Sequence, residues 1–125
     1  MQLIELVKAG RIIESLQQES VEIGLAYKMM KFLKDTKDDI SFYDNKAREL
    51  VEKYALRDEE GKPVMQGGNI RLDMDRKDEF DKEVLELNTT EVNCPEVKFN
   101  IQEFEGIRLS VVSLMALDNF ISKEE

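Results

Sequence analysis

The sequence predicts an α+β fold: a long central helix in an antiparallel helical arrangement, a small antiparallel sheet and a C-terminal helix. Three observations carry this. Ala26, Met29, Leu33, Thr36, Ile40, Tyr43, Ala47, Leu50 and Tyr54 follow one another at alternating steps of three and four, a heptad stripe with one polar interruption at Thr36. After Thr90 the apolar period falls to two, at Val92 and Cys94 and then, past a break at Pro95, at Val97, Phe99 and Ile101. Beyond Ser110 it returns to a helical spacing. Residues 1–125 therefore read as a single domain: helical over 1–58, a hairpin or loop over 59–72, an acidic helix over 73–88, and a small sheet with a closing helix over 89–125.

Helix one spans Leu3 to Leu16 and places Leu3, Leu6, Val7, Gly10, Ile13 and Leu16 on one face, with Gly10 permitting a close approach by its neighbour. Gln17 to Ile23 is a short connector in which Ser20 is the candidate cap of the next helix, so the two helices should be antiparallel. The long helix is expected from about Gly24 to Arg57, roughly 50 Å at the helical rise per residue, whereas helix one covers only about 20 Å. Helix one can thus shield the first half of the spine alone, and a second element must cover Ala47, Leu50 and Tyr54. Self-association through the same stripe is the competing account.

Gly61 and Pro63 end the helical pattern. If Gly67-Gly68 is a two-residue turn, Met65 opposes Ile70 and Pro63 opposes Leu72 on one face, and Gln66 faces Asn69 on the other; a mobile loop is the alternative. Asp73 or Asp75 caps a third helix running to about Asn88, whose apolar side is Phe80, Val84 and Leu87, with Asp78 and Lys82 forming a pair one turn apart. This helix is the natural cover for the second half of the spine. Short strands follow at Val92 to Cys94, Val97 to Ile101 and Ile107 to Leu109, and Ser110 caps a last helix containing Val111, Leu114, Leu117 and Ile121.

Composition narrows the chemistry. Hydrophobic residues make up 42% of the 125 residues and charged residues 36%, a balance suited to a folded chain. The sequence has no histidine and one cysteine, Cys94, so a Ser or Cys triad has no imidazole base and an intramolecular disulfide is excluded. Cys94, set in apolar alternation, reads as a small buried core residue rather than a nucleophile. Asp73, Asp75 and Glu79 invite a metal reading, but from Asp73 the calcium-loop template fails at Lys77, Asp78 and Val84, and capping explains these acids better. No Ser-x-x-Lys spacing and no phosphate loop are present. No catalytic, cofactor or metal residue is expected.

The net charge of -9 is concentrated: residues 1–56, 57–105 and 106–125 carry -1, -7 and -1. Such a surface repels nucleic acid and favours a protein partner, with Asp75, Asp78, Asp81, Glu83 and Glu86 as the expected contact surface and Tyr43 and Tyr54 as architectural anchors. Neither a membrane span nor a secretory signal is expected, which places the chain in the cytoplasm.

ELVEKYALRDEEGKPVMQGGNIRL (residues 49–72), EFDKEVLELNTTEV (79–92) and EGIRLSVVSLMALDNFI (105–121) resemble a family of small uncharacterised proteins of tailed phages and prophages of Gram-positive bacteria. The family carries no assigned activity, and the resemblance implies an origin rather than a site. The expectation is a non-enzymatic phage interaction protein in the host cell cytoplasm or associated with the virion, an accessory of assembly acting by protein docking. The alternative is an inhibitor of a bacterial defence system whose carboxylates imitate a nucleic-acid backbone.

Overall fold

A computed structural model describes residues 1–17 and 19–122. Gln18, within the expected connector, and the end of the expected closing segment, residues 123–125, lie outside them. The described chain is mostly helical: α1 (Leu3–Ser15), α2 (Ile23–Lys53), the two-stranded hairpin β1 (Met65–Gln66) and β2 (Asn69–Ile70), α3 (Lys77–Asn88) and α4 (Val111–Leu117), with 3-10 turns at Met74–Arg76, Ile101–Phe104 and Asp118–Phe120.

α1 begins where the Glu5 carboxylate accepts from the Gln2 backbone N–H at 2.9 Å, satisfying one donor at the helix start. Its expected face is buried throughout: Leu3, Leu6, Val7, Gly10, Ile13 and Leu16 all lie inside. Gly10 is required by contact, because a methyl group there would run into Cδ1 of Ile40 on α2. α2 has its N-cap at Glu22 rather than Ser20, and it ends at Lys53, four residues short of the expected Arg57.

Its seam is rotated slightly at the start. Leu25, Met29, Phe32 and Thr36 are buried, while Ala26 is exposed and Leu33 only half-buried. Both sets share Met29 and Thr36 and differ by one residue between them, so the heptad steps persist with a shifted centre. The Thr36 hydroxyl, fully buried, donates to the Phe32 carbonyl at 2.8 Å, and the polar interruption is satisfied within its own helix.

The two halves of the seam meet different partners. Leu6, Ala9, Ile13 and Leu16 of α1 join Leu25, Met29 and Phe32 with Phe99, Phe104, Leu117 and Phe120 in one cluster. Phe32 is its centre, edge-on to Phe120 with centroids 4.9 Å apart and tilted against Phe99 at 5.9 Å. Farther along, Ile40, Tyr43, Ala47 and Leu50 pack against Leu3, Val7 and Leu87, so α1's first turn and α3's last turn cover the spine together. Val92 touches both clusters.

Gly67 and Gly68 adopt φ of 59° and 83°, the left-handed pair that a type I′ turn demands, and the register is Met65 to Ile70 and Gln66 to Asn69, as the spacing predicts. The predicted pairing of Pro63 with Leu72 is not made. Ala55 to Arg57 enters instead: Ala55 bridges Leu72, Arg57 bridges Pro63, and the Leu56 N–H donates to Arg71 O while its carbonyl accepts from Val64, each at 2.8 Å. The hairpin gains a third extended segment, which supplies partners that an isolated pair lacks.

The sheet expected across residues 92–109 is not formed among the described residues. Phe99 makes one parallel bridge to Ile121, and the Asn100 side chain instead caps a 3-10 turn through the Gln102 N–H at 3.3 Å. Phe99 and Phe104 are buried, Val92 and Val97 half-buried, and Ile101 is exposed, so this segment packs through single apolar anchors without a ladder. Cys94 is exposed, correcting its expected burial: it follows a bridge residue, Glu91, and precedes Pro95, where no neighbouring strand covers it. α4 starts at Ser110 as expected, its Oγ accepting from the Ser113 N–H at 3.0 Å.

Candidate interaction surfaces

The acids of residues 73–91 do not form one uniform surface. Asp73 caps the 3-10 turn, its carboxylate accepting from the Asp75 N–H at 3.0 Å, so Asp75 sits in a first turn whose dipole favours it. The ion pair one turn apart within α3 joins Lys77 to Asp81 at 2.6 Å, one position earlier than the Asp78 to Lys82 spacing suggests. Glu83 turns toward α2 and accepts from Lys53 Nζ at 3.1 Å through both oxygens. Asp78 and Glu86 are exposed, as is Leu85 between them. The five predicted contact residues thus divide, with Asp81 and Glu83 already facing cations and Asp75 at a helix start.

Tyr54 and Glu83 make a clamp between the end of α2 and α3. Tyr54 is buried, edge-on to Phe80 with centroids 5.8 Å apart, and the Arg76 guanidinium lies 4.4 Å over its ring with Lys53 Nζ at 5.2 Å. The Tyr54 hydroxyl, and after it the Lys53 ammonium, hold the Glu83 carboxyl below its ordinary range, while the same carboxylate raises the Tyr54 phenol. Tyr43 anchors the other end of α3 by donating to Asn88 Oδ1 at 2.8 Å. At the start of α2, Lys28 Nζ donates to Glu103 Oε1 at 2.6 Å; burial pushes that carboxyl up, but Lys28 and the Asn100 N–H outweigh it and leave it below its usual value.

Two rows of large apolar side chains remain in water, apart from Phe42, Met65, Met74, Leu85 and Ile101, which are exposed elsewhere. On α4, Val111, Val112 and Met115 leave 74%, 74% and 71% of their surfaces exposed, opposite buried Leu117. On α2, Ile23, Tyr27 and Met30 are exposed by 89%, 59% and 45%, at steps of four and three, along one edge of the helix. Met30 also lines a groove of about 620 Å³ between α1 and α2, floored by Leu16, Val21, Met29 and Leu33. Glu14 and Glu19 stand on its α1 side, Lys34 and Lys37 on its α2 side.

Neither row was named from the sequence as a contact surface. A signal for the first is in the composition of VVSLMAL, which is apolar around nearly its whole circumference where a surface helix needs only one buried stripe. Ile23 and Tyr27 lie outside the heptad seam, and only the placement of α1 reveals that nothing in the described chain covers them.

Among the described residues, no group of three His, Cys, Asp or Glu side chains is arranged to hold a metal ion, and no helix is long and apolar enough to cross a membrane. Compared with known proteins, the chain matches no protein-family model, no curated protein and no solved structure.

Proposed function

We propose that the chain is a non-enzymatic phage interaction protein, an accessory of assembly or of the virion that works in the host cell by docking on another protein. The observation that carries this reading is the row Val111, Val112 and Met115, three large apolar side chains side by side in water on a helix whose other face is anchored in the core. Isolated exposed apolar residues are ordinary, but a contiguous row on a held helix matches the apolar centre of a protein interface. The phage assignment rests on the resemblance of residues 49–72, 79–92 and 105–121. The partial pairing of the α3 carboxylates favours docking over imitation of nucleic acid, since a decoy gains from unpaired charges.

A photo-crosslinking side chain at Val112, and separately at Asp78, tests this in infected host cells. Docking through α4 gives a crosslink from position 112 to a structural or assembly protein of the phage, retained at moderate salt. A crosslink from position 78 alone, to a host nucleic-acid-binding protein and lost steeply as salt rises, would establish the inhibitor reading instead.

A further inference from the structure

We propose that α3 is a strap that lifts from the second half of α2 while the rest of the fold stays closed, and that this opening uncovers the apolar row Tyr43, Ala47 and Leu50. Burial is divided unequally along the spine. Among the described residues, the cluster around the first half of α2 holds eleven buried side chains, and the one around the second half holds three, of which Leu3 and Val7 belong to α1. Leu87 is thus the one fully seated side chain that α3 brings. The seam beneath reflects this: Met29, Phe32 and Thr36 are buried, whereas Ile40, Tyr43, Ala47 and Leu50 are all half-buried. Lifting α3 gives up far less apolar contact than opening the core, and the free energy of an opening grows with the surface it exposes.

Apart from Leu87 and the half-buried Phe80 and Val84, α3 is held by polar groups toward its two ends. Glu83 accepts from Lys53 Nζ at 3.1 Å through both oxygens, and at the last residue Asn88 Oδ1 accepts from the Tyr43 hydroxyl at 2.8 Å. The first is an exposed ion pair, which water replaces at little cost. The chain beyond each end is tied down by its backbone. On one side the Asp73 N–H donates to the Tyr54 carbonyl at 2.8 Å; on the other the Leu3 N–H donates to the Thr90 carbonyl at 2.8 Å and the Val92 N–H to the Met1 carbonyl at 2.9 Å. Once free, α3 has 12 residues, a length at which an isolated helix is marginal in water, so lifting and melting go together. A melted segment reaches farther than the helix it replaces, and α3 therefore leaves its seat without releasing either tie. The α4 row projects from the first-half cluster, which stays closed, so this device stands apart from the docking function proposed above.

Native-state hydrogen exchange on the full chain, read by mass spectrometry at rising but sub-denaturing urea, tests the strap. The amides of residues 81–88 should exchange about hundredfold or more faster than those of residues 6–13 and 25–32, and with a much shallower urea dependence, because lifting α3 exposes little surface. Two substitutions separate lifting from its alternatives. Ile13→Val, in the buried face of α1, should speed the core amides about threefold to tenfold and leave the α3 amides at the wild-type rate, since Ile13 stays packed when α3 lifts. Tyr43→Phe, which removes the bond to Asn88, should speed the α3 amides by about threefold to tenfold. Exchange of α3 in step with the core overturns the proposal, as does acceleration of α3 by Ile13→Val, since either result means that α3 opens only when the whole chain unfolds. An α3 that exchanges fast yet is indifferent to Tyr43→Phe also overturns it, because a helix fraying in its seat keeps that bond.

Discussion

Phe32 and Thr36 sit one helical turn apart on α2, both fully buried, and they differ in what their removal leaves behind. Phe32 fills the space between Phe99 and Phe120, so Phe32→Ala opens a cavity that three rigid elements cannot close, at a cost of about 3–5 kcal/mol. The Thr36 hydroxyl donates to carbonyls of its own preceding turn, Phe32 at 2.8 Å and Leu33 at 3.5 Å, groups that the helix already uses. Thr36→Val replaces the hydroxyl with a methyl group of similar size and should change stability by less than about 1 kcal/mol. Urea unfolding at one fixed protein concentration compares the two; equal losses would mean that the seam is not packed around Phe32. The heptad count alone does not separate Phe32 from Leu33, because Leu25-Met29-Phe32-Thr36 and Ala26-Met29-Leu33-Thr36 both step by three and four. Only the position of the aromatic cluster and α1 decides between them. Gly10 and Tyr54 were legible because their roles follow from local spacing: a small residue in the centre of an apolar face, and an aromatic residue at the end of one.

At the level of elements, the joint between α2 and α3 titrates. Glu83 has its carboxyl lowered in the folded chain by the Tyr54 hydroxyl and Lys53. A lowered folded value means that the unfolded chain takes up the proton first, so the stabilisation is present above the ordinary glutamate range near pH 4.3 and is lost as pH falls through the folded value. Glu83→Gln should therefore be less stable than wild type at pH 7 and should converge on it as the solution is acidified below that range, measured by urea titrations at each pH. A gap that stays constant with pH would remove Glu83 from the joint. The hairpin register was readable because two glycines in succession admit few turns. The segment from Ala55 to Arg57 was not, because its pairing depends on where α2 stops and the chain folds back. Residues 92–109 misled for a related reason: apolar side chains alternate whenever an extended chain pins every second residue to a core, whether or not another strand lies alongside. Pro95 and Gly106 interrupt any ladder there, and Phe99 and Phe104 act as separate anchors.

For the molecule as a whole, one uninterrupted α2 organises everything described above. Its first half holds the aromatic cluster from which α4 projects its apolar row, and its second half holds α3 through Tyr43, Leu50 and Tyr54. The proposed α4 contact rests on the first half, where Leu25, Met29 and Phe32 share a cluster with Leu117 and Phe120. The organisation into helices, turn and closing helix was visible from the sequence, whereas the exposed rows were not, because exposure is a property of what fails to arrive at a face. The most direct measurement is a pulsed electron-electron distance between spin labels at exposed Lys31 and Glu52, introduced as cysteines with Cys94 changed to Ser and diluted with unlabelled chain. An unbroken helix over these 21 steps gives one narrow distribution near about 32 Å; a broad distribution, or one centred well below that value, would mean that the spine is broken and that the packing built on it is wrong.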